Sequence, residues 1–326
     1  MNRHQLEAAS EQGIITKEQV ESLLTFFASS EPVSEHDHSE GQLKFVRSFG
    51  DVFITLGIVF VSVASAQIDM STWMNIVPLL LLIATTEWLV RGRRLVLPGI
   101  VLLISTLYFA CQLLELSITD YGLFNLMLVT SLAGLFYWRY KIPFTMLPIA
   151  LGCMGILSII IDIDLLNAQY MFTIYGLIVF VVAMWFDAHD VDRKTRFSDA
   201  AFWLHLLAAP LIVHGVMVNL LISQGASSGV FPELFIIAFF LLFFLLALYV
   251  DRRALLVSSL SYAIYAVIAL SKTNAFDIEN LTLLIFAGFG AFIIFFGTYW
   301  YKIRNVVFSK TATLGISQYV PRFIEK

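Results

Sequence analysis

Charged side chains are scarce in this chain. Asp, Glu, Lys and Arg make up 13% of its 326 residues, whereas 59% of the residues are hydrophobic and the mean hydropathy is +0.83. A soluble domain carries about twice that share of charge, so we expect the lipid bilayer to be the environment of this protein. The formal net charge of −4, with no clustered cationic face, argues against a nucleic-acid partner.

The motifs of familiar enzymes are missing as well. The chain has no Gly-rich phosphate loop, no His-Glu-x-x-His, no paired-Cys zinc spacing and no nucleophile elbow. The two cysteines, Cys111 and Cys153, fall inside apolar runs, where we expect small core residues. We therefore expect a protein that is not an enzyme and that has no cofactor.

Long apolar runs are what the chain does have. A membrane-spanning helix needs about 20 apolar residues, and ten runs approach that length. They lie at approximately residues 49–68, 73–90, 95–115, 121–138, 142–161, 168–186, 200–222, 231–250, 254–271 and 280–300. The sequence thus predicts an all-α polytopic membrane protein with a ten-helix membrane domain over residues 49–300 and a tail over residues 301–326.

Basic residues indicate which connections face the cytoplasm. All Lys and Arg residues except Lys272 lie in the N-terminal segment, in the C-terminal tail or in alternate connections between the runs. These basic turns lie at residues 91–94, 139–141, 193–196 and 252–253. Because cationic loops resist translocation, the basic turns and both termini are predicted to be cytoplasmic.

Two of the basic turns repeat each other in sequence. Trp88 and Pro98 flank the first turn, and Trp138 and Pro148 flank the second at the same spacing. The repeat relates two hairpins of the same orientation, whereas an inverted repeat of five plus five helices, as in many transporters, would relate halves of opposite orientation. Tandem helical hairpins are therefore the predicted building unit.

The N-terminal segment is polar enough to stay in water. Residues 1–28 are predicted to form a small αα-hairpin, with a first helix ended by Gly13, and residues 29–48 a linker and juxtamembrane segment. Thr16 and Gln19 fit a capping box at the start of the second helix, which carries an apolar face. Such a hairpin needs a partner, either the membrane domain or a cytoplasmic protein.

The N-terminal motif also carries a resemblance. Residues 12–20, Gln-Gly-Ile-Ile-Thr-Lys-Glu-Gln-Val, stand ahead of a many-spanning domain and resemble the opening of a bacterial family of multipass membrane proteins of unknown function. The resemblance implies a multipass protein of the bacterial inner membrane. It implies no activity and no site residues.

Two acidic residues lie near the cytoplasmic ends of predicted spans. Glu87 shares a helix face with Arg91, four residues on, so it can form an interfacial ion pair that pins the hairpin or act as a coupling carboxylate. Asp51 lies at the start of the first span, where the positive end of the helix dipole stabilises a carboxylate. For each of the two residues a structural role and a role as a coupling carboxylate stay open.

The seventh predicted span is the most informative for a binding site. Pro210 lies near its middle and is predicted to kink the helix beside His214, as in the broken helices that form transporter sites. His214, with Asn219, could bind a proton or a substrate, or simply hydrogen-bond to a neighbouring helix. His205 lies on the opposite face, so we do not expect the two histidines to share a metal.

Two polar clusters have ligand types suited to a metal. They consist of His36, Asp37 and His38 with Glu35 and Glu40, and of Asp187, His189, Asp190 and Asp192. Neither cluster has a recognised metal-ligand spacing, and adjacent residues in a linker do not preset a coordination shell. We predict no specific metal site.

Small residues inside spans are expected where helices approach closely. Gly288 and Gly290 in the last span, and Ser62 and Ala66 in the first, are the candidates for such contacts.

Two functions agree with these features. The first is a secondary transporter or flippase of a small molecule or lipid, favoured slightly because a scaffold does not need ten spans. The second is a non-catalytic scaffold or sensor whose N-terminal hairpin recruits a cytoplasmic partner. The sequence reveals no substrate, coupling ion or oligomeric state.

Overall fold

The computed structural model describes most of the apolar part of the chain. The described residues are 10, 12–13, 15–29, 48–68, 71–116, 122–161, 168–193, 195–223, 230–253, 255–256, 260, 262, 264, 278–308 and 319–320. Within this set 88% of the residues are helical and none is in a strand, which confirms the predicted all-α fold class.

Ten α-helices are described, and we number them in chain order. They are α1 (Lys17–Ser29), α2 (Phe49–Gln67), α3 (Ile76–Thr86), α4 (Val96–Leu113), α5 (Leu123–Tyr140), α6 (Met146–Ile160), α7 (Ala168–Ala188), α8 (Arg196–Ser223), α9 (Val230–Val250) and α10 (Ile278–Phe308). Short 3₁₀ turns at Thr72–Asn75 and Pro143–Thr145 lead into α3 and α6. A π-helical turn at Glu87–Gly92 continues α3.

Seven helical segments among the described residues are long and apolar enough to cross a bilayer. They cover all of α2, α3, α4 and α6, most of α7 and α8, and the second part of α10. In α9 the apolar stretch is shorter, over Leu234–Val250, and the predicted run at 254–271 lies mostly outside the described residues. The structure thus supports a membrane protein, whereas ten crossings and the sides of the termini stay predictions.

The basic turns join helices that pack against each other. The pairs α3 with α4, α5 with α6, and α7 with α8 are each in contact along the hairpin. At each basic turn one residue other than glycine has a left-handed backbone: Arg94 (φ 56°), Lys141 (φ 55°), Arg193 (φ 53°) and Asp251 (φ 60°). At Lys141 the backbone N–H donates to the Tyr137 carbonyl at 2.8 Å and ends α5. The turns therefore share a backbone feature that their sequences do not show.

Two hydrophobic cores divide the described helices. One core lies among α2 to α5, with Leu102 and Leu103 fully buried, and the other lies among α6 to α10, around Val213 and Met217. The division falls at the 3₁₀ turn Pro143–Thr145, so it separates four helices from the rest. It does not coincide with a five-plus-five division.

The most extensive helix contact joins α7 to α8. A Cβ atom added at Gly176 would lie 2.8 Å from the backbone nitrogen of Ile212 and 2.9 Å from the Cβ of Leu211. Only glycine lets two helix backbones approach this closely. Gly176 therefore determines how α7 lies on α8.

The small residues expected at close helix contacts have mixed surroundings. A Cβ atom at Gly288 or at Gly290 would meet no described atom within 4 Å, and a close contact at these glycines stays a prediction. Ser62 lines a cavity, whereas Ala66 packs against the core among α2 to α5. Cys111 is buried as expected, but Cys153 is exposed.

The N-terminal part is a compact unit of its own, over residues 1–39. The predicted capping box is confirmed: the Gln19 N–H donates to Thr16 Oγ1 at 3.2 Å, and the Thr16 N–H donates to Gln19 Oε1 at 2.8 Å. Gly13 has the left-handed backbone of a helix-ending glycine (φ 72°). The turn at Gly13 and the start of α1 therefore follow from the local sequence.

The start of α2 has the same kind of cap. The Ser48 N–H donates to Asp51 Oδ2 at 3.3 Å, and the Ser48 hydroxyl donates to Asp51 Oδ1 at 3.1 Å. This geometry agrees with the helix-start interpretation of Asp51.

Candidate functional site

A lateral groove lies between α2, α3 and α4. Both α2 and α3 pack mainly against α4, and a cavity of about 360 Å³ separates them. We call this cavity, together with the polar cavity that adjoins it, the lateral groove. Its total size is in the range of small-molecule and lipid sites.

The larger part of the lateral groove has an apolar wall. Ile54, Ile58 and Val61 line it from α2, and Leu82, Leu102 and Phe109 line it from α3 and α4. Trp88 and Leu89, in the π-helical turn Glu87–Gly92, line the end that is nearest the first basic turn. This part of the groove suits an alkyl chain.

The opposite end of the groove is polar. A second cavity of about 300 Å³ shares Ser65 and Phe109 with the first. Its further lining includes Gln67 from α2, Asn75 before α3, and Gln112 from α4. These side chains offer amide donors and acceptors to a bound group.

The groove is long relative to a bilayer. Ile54 and Gln67 are thirteen positions apart on α2, which corresponds to about 20 Å at the helical rise. This is about two thirds of the hydrocarbon thickness of a membrane. An extended amphiphile can therefore place its chain and its polar head in the two parts of the groove.

Gly57 keeps the middle of the groove open. It lies on the exposed side of α2, and a Cβ atom added there would meet no described atom within 4 Å. Glycine costs a helix about 1 kcal/mol relative to alanine, and here no close helix contact offsets that cost. A larger side chain at this position would extend into the groove.

Glu87 connects two hairpins beside the groove. Its carboxylate pairs with Arg91 at 3.5 Å and with Arg139 of α5 at 2.8 Å, and the Tyr140 hydroxyl donates to it at 3.2 Å. The ion pair with Arg91 is the one that the spacing predicts. The contacts to α5 were not predictable, because they join residues more than fifty positions apart.

The neighbouring Trp88 lies under a cation. The Arg93 guanidinium lies 4.6 Å from the centre of the Trp88 ring. Since Trp88 also lines the groove, the π-helical turn joins the groove directly to the basic residues at the hairpin tip. Single π-helical turns are frequent at functional sites.

His214 lies away from the groove. Its Nδ1 is 2.6 Å from the Tyr262 hydroxyl, and its ring lies edge-on to Phe172. Pro210 and His214 are both exposed on α8, which is one helix from Arg196 to Ser223. The side chain of Asn219 lies outside the described residues. A proton or substrate role for these residues stays a prediction, and they do not line the groove.

A buried ion-pair cluster lies where α7, α8 and the turn after α9 meet. Asp187 accepts from Arg252 through both carboxylate oxygens, and its Oδ2 lies 2.9 Å from His205 Nε2. Arg252 also donates to the hydroxyl of Ser198 at 3.0 Å. Asp187, His205 and Arg252 are each at most 3% exposed.

A second pair in the same cluster mirrors the first. Arg193, in the turn between α7 and α8, pairs with Asp251 at 3.0 Å, and Trp300 of α10 donates its Nε1–H to Asp251 at 2.6 Å. The turn after α7 therefore supplies Arg193 to Asp251, and the turn after α9 supplies Arg252 to Asp187. Loss of one partner from either pair would leave the other charge buried and uncompensated.

Sequence reasoning did not find this cluster. The sequence pattern places Asp187 only in a candidate metal-ligand group with His189, Asp190 and Asp192. Among the described residues no group of three or more such ligands comes together. Asp187 pairs with Arg252 instead, and Asp190 accepts from the Thr195 N–H and hydroxyl at 2.8 and 2.7 Å. The candidate group around His36 lies outside the described residues.

One sequence signal could have indicated the cluster. Trp185-Phe186-Asp187 and Tyr249-Val250-Asp251 both end a span with an aromatic residue two positions before an aspartate. An acid at the same place before two basic turns is a pattern that favours exchange of partners between the turns.

The structure thus defines the class of this protein: an all-helical protein with seven described helices able to span a membrane. No protein-family model, curated protein or solved structure matches the chain. The resemblance to a bacterial family of unknown function therefore stays a prediction.

Proposed function

We propose that this protein is a multipass protein of the bacterial inner membrane, with both termini in the cytoplasm, that acts as a secondary transporter or flippase of a lipid or other small molecule. The observation that carries the proposal is the lateral groove, which lies between two helices that do not pack tightly on each other. A substrate dissolved in the bilayer can enter such a groove sideways. No charged residue is among the described residues that line it.

The Glu87 contacts supply a candidate for the moving part. The π-helical turn carries Trp88 at one end of the groove, and Glu87 holds this turn against Arg139 and Tyr140 of α5. Both ionic partners are partly exposed, so the free energy of the link is small and the link can break and re-form. Opening of this link would extend the groove towards the cytoplasmic face.

Transport can be tested with purified protein in proteoliposomes. We expect faster movement of fluorescent lipids between leaflets, or uptake from a broad panel of small molecules, than in empty vesicles. Gly57→Leu is expected to reduce the rate at least tenfold, because the added side chain fills the groove. Rates that never exceed those of empty vesicles would contradict the proposal.

Gly134→Leu is the matched control for that experiment. Gly134 lies on α5, does not line the groove, and has no described atom within 4 Å of an added Cβ atom. The first atom of the leucine side chain therefore meets no described atom at either position. Equal loss of transport in the two variants would mean that the groove is not the route.

The second candidate function is a scaffold or sensor. It is favoured by the separate compact unit at residues 1–39, with its capped helix α1. Deletion of residues 1–42 should then remove a set of crosslinked cytoplasmic proteins while the membrane domain still inserts. An unchanged set of crosslinked proteins would contradict the scaffold.

A further inference from the structure

We infer that the lateral groove binds an amphiphile with an alkyl chain and an uncharged polar head. The inference deepens the proposed function and rests on it for the claim that the bound molecule is transported. Binding itself stands on the chemistry of the groove. That chemistry changes once along the groove, from an apolar wall to a polar end.

The apolar part excludes a wholly polar solute. Its wall consists of aliphatic and aromatic side chains from three helices, and an alkyl chain that enters from the bilayer packs against them by van der Waals contact. A polar solute would lose its hydration in this part without gaining hydrogen bonds. The occupant therefore has an apolar chain.

The polar part selects the head. Gln67, Asn75 and Gln112 can donate and accept hydrogen bonds, as can the hydroxyls of Ser65 and Tyr108. None of the described lining residues carries a charge that could balance the charge of a phosphate, a carboxylate or an ammonium group. A hydroxyl-rich or amide head is the chemistry that these residues match.

The position of the polar part gives the orientation of the bound molecule. Gln67 ends α2, and Gln112 lies one residue before the end of α4. Both helix ends lie opposite the turn at residues 91–94. The head is therefore at the face away from the basic turns, and the chain extends towards Trp88.

The test measures protection of a groove cysteine in lipid nanodiscs. Gly57→Cys is introduced with Cys111→Ala and Cys153→Ala, and its rate of alkylation by a small maleimide is followed. Three probes with the same dodecyl chain are compared: dodecyl maltoside, dodecyl phosphate and dodecyltrimethylammonium. We expect half-protection by the maltoside at a concentration at least tenfold lower than by either charged probe.

Two further variants complete the test. Gly134→Cys in the same background should react at a rate that no probe changes. Gln67→Leu with Gln112→Leu should raise the half-protecting concentration of dodecyl maltoside about tenfold, but should not change that of the charged probes. We expect about a tenfold loss of affinity because the double variant removes the hydrogen bonds of two amide side chains to the head.

The outcomes separate the inference from the proposed function. Equal protection by all three probes, or protection by none, would overturn the inference. Selective protection in a protein that moves no substrate in proteoliposomes would support the binding site and contradict transport. Transport without protection of the groove cysteine would contradict the site and leave transport intact.

Discussion

Single buried aspartates hold the helix ends of the second core together. Asp187 contacts a guanidinium and an imidazole at once, and Asp251 contacts a guanidinium and an indole N–H. In each case a carboxylate with almost no exposure has its charge balanced by a partner from another turn. Removal of one partner would leave the other charge buried and unpaired, which is the costly case.

The first prediction concerns Asp187. Asp187→Asn keeps the size of the side chain but removes the charge that balances Arg252, which is fully buried. We expect the free energy of unfolding to fall by about 3–5 kcal/mol, measured by chemical denaturation in detergent micelles.

Asp192→Asn is the control for this prediction, since Asp192 lies in the turn that follows α7 and is exposed. Its effect is expected to stay within about 0.5 kcal/mol. The double variant Asp187→Asn with Arg252→Gln should recover part of the loss, because it leaves no unpaired charge. A loss below about 1 kcal/mol for Asp187→Asn alone would show that the pair is not structural.

Helices in this protein pair in two ways. α7 and α8 lie in close backbone contact at Gly176, whereas α2 and α3 are separated by the lateral groove around Gly57. Glycine thus allows a tight contact between α7 and α8 and leaves open space between α2 and α3. The difference depends on what the neighbouring helix places opposite the glycine.

The second prediction compares glycines on different helices. Gly176→Ala would place a methyl group 2.8 Å from the backbone nitrogen of Ile212, so the two helices must move apart. We expect a loss of about 1–3 kcal/mol in the free energy of unfolding.

Gly134→Ala should instead be neutral or stabilise by up to about 1 kcal/mol, because the added methyl group meets no described atom and alanine favours helix. Thermal denaturation of both variants in the same detergent gives the comparison. If both variants behaved alike, close contact at Gly176 would not be what holds α7 to α8.

The predicted orientation of the chain in the membrane rests on the basic turns alone. The described turns at residues 91–94 and 139–141 close the hairpins of α3 with α4 and of α5 with α6. The polar part of the groove lies at the other end of α4 from the turn at residues 91–94. If the basic turns are cytoplasmic, the polar part of the groove is at the periplasmic face. The proposed head-group site and the predicted topology therefore depend on each other.

The third prediction tests this orientation in intact cells. In the background without native cysteines, Ser71→Cys, in the connection before α3, should react with a membrane-impermeant maleimide. Gly92→Cys, in the first basic turn, should react only after the cells are permeabilised. Both positions are exposed and neither substitution removes a charge, so a difference between the two alkylation rates reports on which side of the membrane each position lies.

Reaction at Gly92→Cys in intact cells would reverse the topology. A tag at the C-terminus should likewise stay inaccessible from outside the cell if the tail is cytoplasmic. Access to that tag together with protection at Gly92→Cys would mean an odd number of crossings between the two positions.

Local patterns were enough for much of the fold. The capping box at Thr16, the helix start at Asp51, the ion pair of Glu87 with Arg91 and the hairpins that close at basic turns all involve residues near each other in the chain. Their physical causes act over one helical turn or over the thickness of a bilayer, so composition and spacing predict them.

The candidate site required the folded chain. The lateral groove exists because α2 and α3 both pack on α4, and the buried ion-pair cluster exists because the turns at residues 193–196 and 252–253 meet. Hydropathy says that a helix lies in lipid, but it does not say which neighbour it packs against. The apolar residues that line the groove look the same in sequence as those that fill a core, and only helix packing distinguishes an open wall from a buried one.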